Sequence, residues 1–129
     1  MKNQNLDELK KKLDSQAYDV VVNKATEAPG TGKYLYNHDK GIYQCIVCGQ
    51  QLFSSDTKFD SGSGWPSFDQ PMNLEHVELK DDNSLGMHRT EVICKNCGAH
   101  LGHLFDDGPT ATSQRYCINS AALNFKKST

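Results

Sequence analysis

Hydrophobic positions recur at helical spacing in one stretch of the chain, near its start. Leu6, Leu9 and Leu13 fall on one side of a helix, Asn5 stands before them as a side-chain cap, and lysines gather where a first helix would end. The helical region predicted spans residues 6–24. Asp14 and Ser15 break and recap it, starting a second short helix through Val20. Val20, Val21 and Val22 pull toward strand because β-branching restricts χ1, but periodicity favours helix there. From Pro29 the texture changes. PGTGKY is a loop by its glycines and proline. Beyond it come strand-like pieces at Gly41–Cys45, 51–53, 75–79, 86–93, 101–105 and 114–125, separated by Gly, Asp and Pro. In the third piece Val77 and Leu79 share a face with Glu75, opposite His76 and Glu78, the alternation of a half-buried strand. Many short strands with turn residues between them predict a mainly β fold, an antiparallel sheet or sandwich behind short N-terminal helices. The tail, 126–129, is expected to fray.

Composition narrows the class. At 129 residues the chain fits one domain, 1–129. Fourteen basic against sixteen acidic side chains give a net charge of -2, so no basic surplus exists to neutralise nucleic-acid phosphates. No apolar run approaches the roughly 18 residues of a membrane-spanning helix. The start, MKNQNLDELKKKLD, is charged throughout and lacks the apolar core of a signal peptide. A cytoplasmic monomer with no nucleic-acid or membrane partner is expected. A domain of this size buries about two-thirds of its unfolded surface, which leaves little stability in reserve. The five cysteines are the candidate supplement. Five is odd, so disulfides cannot account for all of them, and in a reducing compartment metal ligation or a reactive thiol is the better reading.

Four of the five fall into two CxxCG units, Cys45 and Cys48 before Gly49, and Cys94 and Cys97 before Gly98. A CxxC turn aims two sulfurs at one point, and two turns complete the tetrahedron zinc prefers. The glycine allows positive φ behind the ligands. A thioredoxin-type redox motif competes, but it needs a βαβ context that the pattern does not show. Two buried, unmetallated pairs are the plainer alternative. Four sulfurs would close the coordination sphere, making the zinc structural and an aid to a small core.

Cys117 is left over, in QRYCIN. On a strand, Arg115, Cys117 and Asn119 share one face, with Tyr116 and Ile118 on the other. A lone cysteine is by default a small buried hydrophobe. A cation two residues away shifts the balance, because positive charge stabilises the nucleophilic thiolate and lowers its pKa. His100 and His103 follow the second cysteine pair in AHLGHLF. A strand would put Leu101, His103 and Phe105 on one face and His100 on the other. As bystanders these histidines would be merely solvated or hydrogen-bonded; as functional groups they suit proton transfer near neutral pH. His38, His76 and His88 carry the bland reading. The single tryptophan, Trp65, lies in DSGSGWPSF beside a proline, either anchoring the loop or walling an apolar pocket.

Together these pieces resemble the methionine-R-sulfoxide reductase family, MsrB. The matching motifs are TEAP from Thr26, the Cys45/Cys48 pair, SGSGWPSF at 61–68, CKNCGAHLGHLF from Cys94, DGP from Asp107 and RYCINSAAL from Arg115. They span about residues 13–125. The resemblance implies two antiparallel sheets with short N-terminal helices, a helix through Val20–Val22, and zinc on the side away from the active site. It implies Cys117 as the nucleophile on the sulfoxide sulfur and His103 as the donor of a proton to the departing oxygen. His100 and Asn119 would orient that oxygen, Arg115 would support the thiolate, and Trp65, with Phe105, would hold the substrate methyl side. Substrates would be methionine-R-sulfoxide, free or in oxidised proteins and peptides. One departure stands out: Ser63 occupies the place where many members carry a resolving cysteine. The resemblance then implies a one-cysteine cycle, in which thioredoxin or another thiol reduces a sulfenic acid on Cys117. A zinc-stabilised module that binds a ligand without chemistry is the rival reading, and the lone Cys117 between Arg115 and Asn119 weighs against it.

Overall fold

The computed structural model describes residues 4–128, apart from the side chain of Leu85; Met1 to Asn3 and Thr129, the extremes of the charged start and of the tail, lie outside the described residues. Helix α1 is Leu6–Lys12 and α2 is Ser15–Asn23. The two caps read from sequence form. Asn5 Oδ1 accepts from the amides of Asp7 at 3.0 Å and Glu8 at 3.2 Å, and Asp14 Oδ1 accepts from Ala17 at 2.7 Å. Each meets donors that the first helical turn leaves without an internal partner. The second helix continues past Val20 to Asn23, with Val20 and Val21 buried, so packing overrides β-branching. Leu9 and Leu13 are buried while Leu6 stays exposed.

Nine strands follow among the described residues: β1 Gly41–Cys45, β2 Gln51–Ser54, β3 Lys58–Phe59, β4 Ser67–Phe68, β5 Val77–Asp82, β6 Arg89–Cys94, β7 His100–Phe105, β8 Arg115–Ile118 and β9 Leu123–Lys127. They make two sheets, ordered β2-β1-β9 and β3-β4-β8-β7-β6-β5, and every pairing is antiparallel. The fold is therefore mainly β with two short helices.

Several boundaries differ from expectation for identifiable reasons. Residues 74–76 form a short 3₁₀ turn whose Glu75 amide is capped by Asn73, so the piece expected at 75–79 is strand β5, which begins at Val77 and runs on to Asp82. Leu79 is 47% exposed, because only the start of this edge strand lies over the core. The stretch 114–125 is two strands in different sheets. Asn119 to Ala122 make a turn, closed by the Ala122 amide on the Asn119 carbonyl at 3.0 Å, that carries the chain from one sheet to the other. Lys126 and Lys127 do not fray: they pair with Ile42 and Gly41 of β1. The two-residue strands β3 and β4 are too short to leave a periodic signal.

Aromatic rings join the sheets. Phe53 of β2 stacks on Phe68 of β4 at 4.5 Å, and Tyr43 of β1 meets Phe68 edge-on at 5.2 Å and Phe125 of β9 at 4.8 Å. Tyr43, Phe53 and Phe68 are fully buried. A second joint is made of sulfur, since Cys45 ends β1 in one sheet and Cys94 ends β6 in the other.

One irregularity shapes the site. Ile93 pairs with His100 and Val92 with Gly102, so β7 carries one more residue than β6 at that point. The extra residue, Leu101, reverses the alternation beyond it. His100 and His103 therefore share a face, with ring centres 5.5 Å apart, instead of lying on opposite faces as strict alternation requires.

Phe53→Ala is expected to cost about 3–5 kcal/mol, read by urea unfolding, since it leaves a cavity against the Phe68 ring. Gly102→Ala is expected to disturb activity more than its single methyl suggests, because the added Cβ meets the Cys117 carbonyl across β7 and β8.

Candidate active site

Strands β7 and β8 pair Gly102 with Ile118, His103 with Cys117 and Leu104 with Tyr116. Directly opposed residues on neighbouring strands hold their Cβ atoms about 4.5–5.5 Å apart. The imidazole of His103 and the sulfur of Cys117 are thus brought together by backbone register. They open onto a cavity of about 160 Å³. Arg115, Cys117 and Asn119 line it from β8 and the turn after it, Gly102, His103 and Phe105 from β7, and Thr26, Ser63, Trp65 and Arg89 complete the wall. The face assignment read for 115–119 holds: Tyr116 and Ile118 are buried on the other side.

The thiol itself is half-buried, and burial pushes its pKa up from the ordinary value. The Arg115 charge and hydrogen bonds from Ser63 and Arg115 pull it back, while Glu27 adds to the rise. Arg115 acts as expected, but desolvation outweighs it in the free protein, so the resting group is a thiol rather than a low-pKa thiolate. Arg115 is itself held by Asp107, with Nε to Oδ1 at 2.8 Å and Nη2 to Oδ2 at 3.2 Å, and it lies over the Phe105 ring at 4.4 Å.

Two carboxylates hold the histidines. Asp82, at the end of β5, sits 2.8 Å from His103 Nε2 and also engages Arg89 at 3.4 Å. Its carboxyl is held well below its usual range, first by hydrogen bonds from Ser84 and then by His103. Glu91, buried on β6, takes His100 Nδ1 at 2.6 Å and Lys24 Nζ at 3.4 Å. Burial pushes the His100 pKa down despite that carboxylate. His100 does not line the cavity; it lies behind His103 with its Nε2 buried and unpartnered.

Asn119 and Trp65 are fixed by the backbone of one residue, Glu27. The Glu27 amide donates to Asn119 Oδ1 at 3.0 Å, and the Glu27 carbonyl accepts from Trp65 Nε1 at 2.9 Å. Asn119 Nδ2 donates to the Leu101 carbonyl at 3.0 Å, which leaves one amide proton free for a ligand. Asp82, Glu91 and Glu27 escaped the sequence reading. Glu91 left a trace, as a charge beside Val92 and Ile93 in an otherwise buried strand; Asp82, twenty-one residues before its histidine, left none.

The four remaining cysteines meet away from this cavity, at the ends of β1 and β6. Their sulfurs all lie within 4.8 Å of one another, with Cys45–Cys97 and Cys48–Cys94 at 3.6 Å. A tetrahedron with zinc–sulfur bonds near 2.3 Å has edges of about 3.8 Å. The cluster therefore fits a metal ion and is compatible with zinc. Hydrogen bonds to its three neighbours, then burial, push the Cys45 thiol far up. Uncharged by a cation, this cluster cannot hold four thiolates, which is what a bound divalent ion would relieve. Both knuckle glycines take the positive φ expected of them, Gly49 at 80° and Gly98 at 83°.

A half-buried thiol and a carboxylate-held imidazole thus share one cavity wall on a β scaffold, away from the four-cysteine cluster. Residues 13–127 match the SelR domain. The chain is 55% identical over 120 residues to the peptide methionine sulfoxide reductase MsrB of Methanosarcina barkeri, covering 93% of this chain and 84% of that one. It is 56% identical over 115 residues to the protein of the same name from Methanosarcina mazei, covering 89% and 82%. It is also 56% identical over 118 residues to the mouse protein named methionine-R-sulfoxide reductase B3, mitochondrial, covering 92% of this chain and 47% of the mouse protein. The chain belongs to the SelR-domain family of MsrB methionine sulfoxide reductases, which are oxidoreductases. Among the described residues no helix is long and apolar enough to cross a membrane.

Arg115→Ala is expected to slow alkylation of Cys117 by iodoacetamide roughly two- to fivefold at neutral pH, because it removes the charge that opposes burial. Peptide mapping of the alkylated protein measures this.

Proposed function

We propose that this chain reduces methionine-R-sulfoxide, free or within proteins and peptides, with Cys117 as the attacking sulfur. The observation that carries the reading is the opposition of Cys117 and His103 on the wall of a cavity bounded by Trp65. A sulfoxide sulfur is a poor electrophile until its oxygen is protonated. Cys117 releases its thiol proton to solvent and attacks the sulfur as the thiolate, while His103, as imidazolium held by Asp82, gives that oxygen a proton. The spare amide proton of Asn119 polarises the oxygen, and Trp65 and Phe105 receive the apolar methyl side of the substrate. His100 supports this from behind His103. Arg115 favours the thiolate that attacks, against the burial that favours the thiol.

The step balances as an oxygen transfer. The substrate sulfur loses its oxygen and gains two electrons, and Cys117 becomes a sulfenic acid. Two external thiols, from thioredoxin or a small reductant, then return Cys117 to the thiol and release water and a disulfide. With Ser63 near Cys117 and the other four cysteines drawn into the cluster, the cycle uses one cysteine. Cys45, Cys48, Cys94 and Cys97 would hold zinc, which supplies a cross-link and closes its own coordination sphere with sulfur. Four cysteines gathered as candidate metal ligands suit a reducing, cytoplasmic setting; the mouse relative is named as mitochondrial. A single monomeric domain suffices for the reaction, since every group in it comes from one chain.

With dithiothreitol as reductant, the R epimer of a methionine sulfoxide peptide is expected to turn over and the S epimer to persist; the reverse, or no turnover of either, would sink the assignment. Cys117→Ser is expected to abolish turnover and His103→Gln to slow it by about 10²–10⁴-fold. Neither should lower the zinc content measured by mass spectrometry, whereas Cys94→Ser should. After one turnover without reductant, Cys117 is expected to carry a single added oxygen and no new disulfide.

A further inference from the structure

The scheme above leaves Ser63 as a bystander, yet it stands on the same cavity wall as Cys117, and its hydroxyl is among the groups that draw the pKa of that thiol down against burial. Behind it runs a chain of hydroxyls. Ser63 Oγ lies 2.7 Å from Ser61 Oγ, and Ser61 Oγ lies 2.7 Å from Ser67 Oγ. Ser67 is buried and pairs with Cys117 across β4 and β8, so the chain curls back beneath the strand that bears the sulfur.

Each hydroxyl has one proton to give, so the choice made by one sets the direction of the rest. Ser67 gives its proton to the Trp65 carbonyl at 3.1 Å. Ser61 must then donate to Ser67 and can only accept from Ser63. The Ser63 proton has three destinations: Ser61 Oγ at 2.7 Å, the Trp65 carbonyl at a long 3.5 Å, and the Cys117 sulfur across the cavity wall. Turning to the sulfur leaves no orphan, because the backbone amide of Ser63 already donates to Ser61 Oγ at 3.2 Å.

We propose that Ser63 is a catalytic hydrogen-bond donor to Cys117, its hydroxyl turning from Ser61 to the sulfur as the thiol loses its proton. The protonated thiol finds in Ser63 Oγ an acceptor, and the thiolate finds a donor, without movement of the backbone. The charged groups facing the sulfur are Arg115 from its own strand, His103 from β7, Arg89 from β6 and Glu27 from the segment after α2. Arg115 favours the thiolate and Glu27 opposes it. Ser63 adds a neutral donor to this balance, one that an apolar residue here cannot supply.

The proposal rests on Cys117 being the attacking sulfur, and its test does not need turnover. Iodoacetamide alkylation of Cys117 is followed across pH by peptide mapping in the wild type, Ser63→Ala, Ser63→Thr and Ser61→Ala. Ser63→Ala is expected to move the midpoint up by about one pH unit, roughly a tenfold loss of rate at neutral pH. Ser63→Thr, which restores a hydroxyl, should return within about twofold of wild type. Ser61→Ala removes the competing acceptor and should leave the midpoint in place or lower it. A Ser63→Ala profile that superimposes on wild type overturns the proposal. So does a Ser63→Thr protein with wild-type metal content that reacts as slowly as Ser63→Ala, or a midpoint in Ser61→Ala raised as far as in Ser63→Ala. Failure of the epimer assay alongside these shifts would remove the enzymatic reading and leave the hydrogen bond standing.

Discussion

The joint between the two sheets is the constraint on which the rest of this molecule depends. Strand β1 belongs to one sheet and β6 to the other, and the sulfurs at their ends converge within 4.8 Å. The stacked and edge-on rings of Phe53, Phe68 and Tyr43 hold the same joint from the inside. A chain of this length has little buried area to spare, so a sulfur cluster that pulls two sheets together contributes where more core cannot. Because β6 leads through the second knuckle directly into β7, whatever fixes Cys94 and Cys97 also fixes the register of the strand that bears His103.

From that anchor the site follows by short steps. A one-residue bulge in β7 turns two histidines onto one face, and antiparallel pairing sets His103 against Cys117. The turn after β8 delivers Asn119 and then hands the chain to the other sheet, so a residue of the cavity wall also marks the crossover. Glu27, from the segment after α2, ties this turn to the tryptophan loop through its backbone, while its carboxylate takes the Ala121 amide at 2.9 Å. The three pieces of the site are far apart in sequence and share one clasp.

Electrostatically the site sets opposing demands against each other. Burial favours a neutral thiol at Cys117 and a neutral ring at His100. Arg115 opposes it at the sulfur, and the Glu91 carboxylate opposes it at the ring. The outcome is a sulfur kept uncharged at rest beside groups able to stabilise its charge, rather than a permanently ionised thiolate exposed to oxidants.

Much of this was legible from the chain alone. The paired CxxCG units define a metal cluster because spacing within a turn is a local property, and the caps at Asn5 and Asp14 and the polar face of 115–119 are local in the same way. The resemblance of SGSGWPSF and RYCIN supplied the roles. Tertiary structure decided what depends on partners distant in sequence. It set the bulge that turned His100 and His103 together, the carboxylates Asp82 and Glu91 that hold them, and the exposure of Leu79 on an edge strand. It also split 114–125 between two sheets and raised the Cys117 pKa where the adjacent arginine suggested the opposite. Periodicity reports which way a side chain points along its own strand; it carries no record of which strand lies beside it or how much water remains.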